Sequence, residues 1–187
     1  MIDVNELRKG TAFELDGDLF LVLEYWHNKP GRGNATVRVK VRNLRTGAIV
    51  DKTFVSGDRV QDIEVQTSNA QFLYKEDNLY HFMDMTTYEQ FALDEGMLQD
   101  ALPYLKENLE VRLRSHDGEP LGIELPPSVD LVVTDAPIGI AGDTAAGGGT
   151  KVVTVETGLK VTTPLFINTG DVIRVDTRTG AYVTRAG

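Results

Sequence analysis

TVRVKVRN, residues 36–43, alternates valine with a cation for three periods. A period of two belongs to an extended strand, so Val37, Val39 and Val41 share one face and Arg38, Lys40 and Arg42 the other. The valine face demands a core, and the cationic face demands solvent or a partner. Similar short runs rich in Val, Ile, Leu, Thr and aromatics recur at residues 11–15, 19–24, 111–114, 152–155 and 172–175. They are separated by glycine- or proline-bearing turns, which predicts an all-β protein. Asp16-Gly17, Asp117-Gly118 and the Arg-Thr-Gly turns at 45–47 and 178–180 supply the positive-φ residue that tight hairpins require. Only residues 95–102 read as helix, with Met97, Leu98, Ala101 and Leu102 on one face before Pro103 ends it, as a plug for a barrel.

The 187 residues, 41% of them hydrophobic, suffice for a buried core. Charge divides them into thirds. Residues 1–65 have net charge 0, residues 66–128 have −8 and residues 129–187 have −1. The polar stretch 66–69 and Pro126-Pro127 are the expected links, giving three small β-barrels at 1–65, 66–128 and 129–187. Modules of about 60 residues stand near the lower limit for a self-sufficient core, so they are expected to support one another across fixed joints. No segment has the run of apolar residues a membrane helix needs, and the first residues lack the pattern of a signal peptide, so no membrane association and a cytoplasmic location are expected. There is no cysteine, which excludes disulfides and thiolate chemistry.

Between Lys29 and Arg45 lie six basic residues and no acid. The strand is preceded by Lys29-Pro30-Gly31-Arg32-Gly33-Asn34, a loop in which two glycines flank one arginine and leave its guanidinium as the most prominent group at the tip. Like charges lined up on one strand face favour a polyanion nearby. Lys29 and Arg32 at the tip, with Arg38, Lys40, Arg42 and Arg45 behind them, are therefore candidate RNA contacts.

Residues 27–35 (HNKPGRGNA) and 39–47 (VKVRNLRTG) carry a family resemblance, together with Gly142-Asp143-Thr144, Glu156-Thr157-Gly158, Pro164-Leu165-Phe166 and residues 175–182 (VDTRTGAY). In this order and spacing they strongly resemble bacterial elongation factor P over nearly the whole chain. The resemblance implies an SH3-like, KOW-type first domain followed by two OB-type barrels, in an L shaped like tRNA. It implies a monomer that binds the 70S ribosome between the P and E sites, beside the peptidyl-tRNA, and relieves stalling at consecutive prolines. The tip of the family's loop lies against the CCA end of that tRNA and matches Arg32. The tip residue is modified in many members, so Arg32 is also a candidate for modification by a dedicated enzyme. Gly142, Asp143 and Thr144 match a C-terminal loop that approaches RNA on the small-subunit side.

The chemistry agrees with a positioning role. A guanidinium is a fork of donors with no acceptor, unsuited to general-base work but able to pair with phosphate and stack on a base. No enzymatic activity and no cofactor are expected. Residues 142–151 have the glycines of a phosphate loop, but no Lys-Ser/Thr follows Gly147, and 152–155 reads as strand where a helix is required. His27, His81 and His116 lack ligand spacing, so no metal site is expected. Tyr74, Tyr80, Phe82, Tyr88 and Phe91 alternate with polar residues and read as core rather than a base-stacking platform. A general single-strand RNA binder would carry a basic middle domain, which the −8 contradicts. Paired carboxylates such as Asp84 with Glu89, or Asp94 with Glu95, would be the acids of a hydrolytic enzyme, the remaining rival.

Overall fold

The alternation at residues 36–43 becomes a strand whose three valines are fully buried while Arg38 is exposed. The structure, a computed structural model, describes residues 1–138 and 149–187. Its first sheet has six strands: β1 (Ile2–Asp3), β2 (Ala12–Leu15), β3 (Asp18–Asn28), β4 (Thr36–Asn43), β5 (Ile49–Val55) and β6 (Arg59–Asp62). They lie in the order β1-β6-β2-β3-β4-β5. Val37, Val39 and Val41 pack with Phe13, Phe20, Val22 and Val60 into a core belonging to this sheet alone.

The second sheet contains β7 (Gln66–Glu76), β8 (Leu79–Asp84), β9 (Gln90–Asp94), β10 (Glu110–His116) and β11 (Glu119–Glu124), in the order β11-β10-β7-β8-β9. The third contains β12 (Ser128–Asp135), β13 (Thr150–Val155), β14 (Lys160–Pro164), β15 (Val172–Asp176) and β16 (Tyr182–Ala186), in the order β14-β13-β12-β15-β16. Both are one topology: the first strand is central, paired on one side with the second and on the other with the fourth. In each, the two outermost strands approach one another and curl the sheet toward closure. The protein is thus all-β, with three curled sheets and a core cluster for each.

Two local expectations change. The stretch 95–102 is not an α-helix but two 3-10 turns, Glu95–Met97 and Leu102–Tyr104, around a tight bend. Gly96 weakens the first, whose amide is capped by the Asp94 carboxylate at 2.8 Å, and Pro103 lacks the N–H that continued helix needs. The plug itself remains, because Leu98 and Ala101 are buried in the second core with Met97 and Leu102 packed against them. Residues 66–69 are not a link but the start of β7, paired with Leu113, Arg114 and their neighbours on β10. Their polar side chains suit a strand whose outward face meets solvent.

The joints are built from sequence-distant residues. Leu19 and Leu44 of the first module enclose Leu121 of the second in a separate apolar cluster, with Leu21, Ile63 and Val65 against it. Leu121 reaches them through a β-bulge. Gly122 pairs with Arg114 and Pro120 with Ser115, so Leu121 is the extra residue and turns away from its own core. Between the second and third modules, Tyr104 is buried in the third core. Thr177 donates its amide to the Pro127 carbonyl at 3.0 Å and its hydroxyl to the Pro126 carbonyl. The Arg-Thr-Gly turns dock on the second module from both sides. A Cβ on Gly47 (φ 78°) would sit 3.0 Å from the Gly96 carbonyl oxygen, and one on Gly180 (φ 76°) 3.1 Å from the Tyr104 hydroxyl.

Candidate nucleic-acid interface

The tip loop joins β3 to β4, the two longest strands of the first sheet, which are paired from Phe20–Asn43 out to Asn28–Thr36. That rigid ribbon carries Lys29 to Asn34 outward, and all six are exposed. Gly33 adopts φ 95°, which explains glycine there, while a Cβ on Gly31 or Gly33 would meet nothing within 4 Å. The loop is open on all sides.

The six cations separate by what they touch. Arg38 stands over the Trp26 ring, its guanidinium carbon 4.3 Å from the centroid. Lys40 faces the Glu24 carboxylate at 3.5 Å on the neighbouring strand. Arg42 donates to Asp100 of the second module at 3.3 Å. Arg45 forms a two-pronged pair with Glu119, at 2.9 and 3.2 Å, and also donates to the Gly17 carbonyl. The Arg45 hydrogen bond holds the Glu119 carboxyl below the usual carboxylate range, and the same bond raises Arg45. Acids of the middle module therefore neutralise the rear of the basic stretch and tie it to the joint. Among the described residues, Lys29 and Arg32 alone of the six make no hydrogen bond, ion pair or cation–π contact.

Trp26 is the site residue the sequence reading missed. It is 38% exposed, next to the tip, and Arg38 lies over it. Its signal was its phase: opposite Arg38 in the β3–β4 register, it shares the outward face. Such a pair offers both an aromatic surface and a cation to a nucleic acid. Elsewhere, Tyr80 and Phe82 are core and Phe91 packs against them, whereas Tyr74 is half-exposed and stacked on His81 at 4.5 Å and Tyr88 is exposed in a positive-φ turn rather than core. Gly142, Asp143 and Thr144 lie outside the described residues. The strand expected at 152–155 is present within β13. No cluster of metal-ligating side chains occurs among the described residues, and none of their helices is long and apolar enough to cross a membrane.

Comparison with known proteins assigns all three modules. Residues 3–60 match the Elongation factor P (EF-P) KOW-like domain, residues 65–123 the Elongation factor P (EF-P) OB domain and residues 129–185 the Elongation factor P, C-terminal family model. The chain is 48% identical over 186 residues to elongation factor P of Moorella thermoacetica, covering 100% of both chains. It is 47% identical over 186 residues to that of Thermotoga maritima, again covering 100% of both. Among solved structures, eukaryotic translation initiation factor 5A from Methanococcus jannaschii superposes with TM-score 0.52 at 23% identity, over 66% of this chain and 91% of that one, a likeness of fold. Three family domains in sequence and full-length relatives at this identity establish that the chain belongs to the elongation factor P family, whose members are translation elongation factors.

Proposed function

We propose that this factor binds the ribosome between the P and E sites, beside the peptidyl-tRNA, and promotes peptide-bond formation where consecutive prolines stall it. The loop 29–34 lies against the CCA end, and Arg32 holds the reacting ends in attack geometry. The observation that carries the reading is the division of the basic stretch: Arg42 and Arg45 are committed to the joint, while Lys29 and Arg32 stand exposed without a partner among the described residues. A cation left unengaged at the end of a rigid ribbon is positioned for an anion brought by another molecule. Its planar fork pairs with phosphate and stacks on a base, both of which a CCA end offers.

The contribution is entropic. Orientation of bound reactants lowers a barrier without a general acid or base, so the reaction centre stays with the ribosome and the factor is not itself an enzyme. Arg38 and Trp26, on the outward face behind the tip, add contacts to RNA, and the loop carrying Gly142, Asp143 and Thr144 adds another on the small-subunit side. A factor acting on translating ribosomes works in the cytoplasm. A modifying enzyme acting on Arg32 would lengthen the reach of the tip, and the intact mass of the native protein tests for it.

Co-sedimentation with ribosomes tests the proposal. Ribosomes carrying peptidyl-tRNA ending in proline in the P site are expected to retain the factor more strongly than ribosomes with a vacant P site. Equal retention by both removes the peptidyl-tRNA contact.

A further inference from the structure

Where the modules meet, a cavity of about 840 Å³ is lined by Arg42 from the first, by Arg112, Arg114 and Glu124 from the second and by Arg178 from the third. Two of these arginines are incompletely satisfied. The Nε atoms of Arg42 and Arg114 are both buried and have no hydrogen-bond partner among the described residues. Arg42 spends one Nη on Asp100 at 3.3 Å, and that carboxylate is itself 86% exposed. Arg114 spends one Nη on the Ile123 carbonyl at 3.3 Å. Glu110 and Glu124 also line the cavity, yet neither forms an ion pair with Arg114 among the described residues. Burial first, and then the Arg42 charge, push the Arg114 guanidinium below the ordinary arginine value, and the Glu124 charge offsets them only in part.

A half-buried guanidinium without a carboxylate partner, beside a second cation, is costly unless an anion completes it. The β10 alternation explains the placement: Val111 and Leu113 fill the barrel, so Arg112 and Arg114 fall on the opposite face, where both line the cavity. The bulge that turns Leu121 toward the first module sets Gly122 opposite Arg114. A Cβ on Gly122 would stand 3.5 Å from an Arg114 Nη, in ordinary contact, so the guanidinium lies directly against the bulge.

We propose that Arg42 and Arg114 form a phosphate-binding site in this cavity, which clamps the first module onto the second when filled. A phosphate offers several acceptor oxygens and a negative charge, about −1 in an RNA backbone and between about −1 and −2 when free, and its tetrahedral oxygens can accept from two guanidinium forks at once, which a planar carboxylate does less well. The phosphate belongs either to an RNA backbone or to a free small anion. This site is independent of the assignment of Arg32, which lies on the tip loop rather than at the joint.

The test uses the full chain, with the Nε–Hε NMR signals of its arginines assigned through Arg42→Lys and Arg114→Lys. It is titrated in one arm with inorganic phosphate and in the other with a single-stranded RNA oligonucleotide, sodium chloride holding ionic strength constant. Saturable movement of the Arg42 and Arg114 signals in the phosphate arm supports the site with a free anion. Movement in the RNA arm alone supports it with RNA as the source, and movement in neither arm overturns it. At ten times the dissociation constant, the moving ligand is expected to raise the melting midpoint by about 3–6 °C. Arg114→Met is expected to abolish that rise while leaving the ligand-free midpoint unchanged or higher. A lower ligand-free midpoint together with a retained ligand-induced rise would make Arg114 a structural residue and overturn the proposal. Arg42→Gln, which keeps a side chain of similar length, is expected to weaken the phosphate response at least tenfold, and an unchanged response also overturns it.

Discussion

Leu121→Ala tests how the first two modules are held together. Leu121 is 3% exposed, but its neighbours are Leu19 and Leu44 of the other module rather than its own core. Three buried carbons are lost, worth about 2.5 kcal/mol in transfer. The remaining gap adds up to about 1.5 kcal/mol more if it cannot close. The ion pair across the same joint is worth far less. Arg45 and Glu119 are 42% and 45% exposed, so despite two prongs the pair contributes about 0.2–1 kcal/mol. The apolar plug should dominate. Trp26, the chain's one tryptophan, lies in the first module and reports its unfolding by fluorescence, while far-ultraviolet dichroism reports all three. In denaturant the two probes should coincide for the parent. For Leu121→Ala the fluorescence transition should move to lower denaturant and separate from the dichroism, and Glu119→Gln should shift it only slightly. The reasoning fails if Glu119→Gln shifts the Trp26 transition as far as Leu121→Ala, or if Leu121→Ala leaves it in place.

Acid should weaken the same joint. Glu119 is held below its ordinary range by the Arg45 hydrogen bond, so its contribution is complete above the unfolded carboxylate range and vanishes as pH falls through the lowered folded value. Melting midpoints of the parent and Glu119→Gln should therefore differ at neutral pH and converge in acid. Gly47→Ala should cost about 1–3 kcal/mol from its positive φ plus the collision with the Gly96 carbonyl, whereas Gly17→Ala (φ 84°, open space) should cost the backbone part alone; thermal melts of the two give the difference. Replacing Lys29, Arg32 and Arg38 together by alanine should flatten the dependence of ribosome affinity on salt, read as the slope of log affinity against log salt.

What the sequence made legible was local. Val37, Val39 and Val41 announce their strand because the pleat repeats every two residues, and the glycines at 17, 47, 118 and 180 mark turns because each needs a positive φ. Gly31-Arg32-Gly33 was readable as an open tip because Gly33 needs a positive φ and neither glycine has a side chain to cover Arg32. The stretch 95–102 misled because two 3-10 turns around a bend place Met97, Leu98, Ala101 and Leu102 inward much as a helix would. Leu121 was illegible, since a bulge breaks the alternation that assigns a face. The partners of Arg42 and Arg45 lie 58 and 74 residues away, at a distance where pattern carries no information. A run of cations thus read as one surface, whereas folding divides it into a tip and a joint.

The separation of binding from acceleration in Arg32→Ala tests the central claim most directly. The side chain is exposed at an open loop, so the variant should melt within about 2 °C of the parent. In reconstituted translation of a Pro-Pro-Pro reporter, it should co-sediment with ribosomes through its other contacts yet lose most of the acceleration, and Arg32→Lys should recover only part of it, since a point charge replaces the planar fork. Acceleration by a folded, ribosome-bound Arg32→Ala equal to that of the parent would contradict the account.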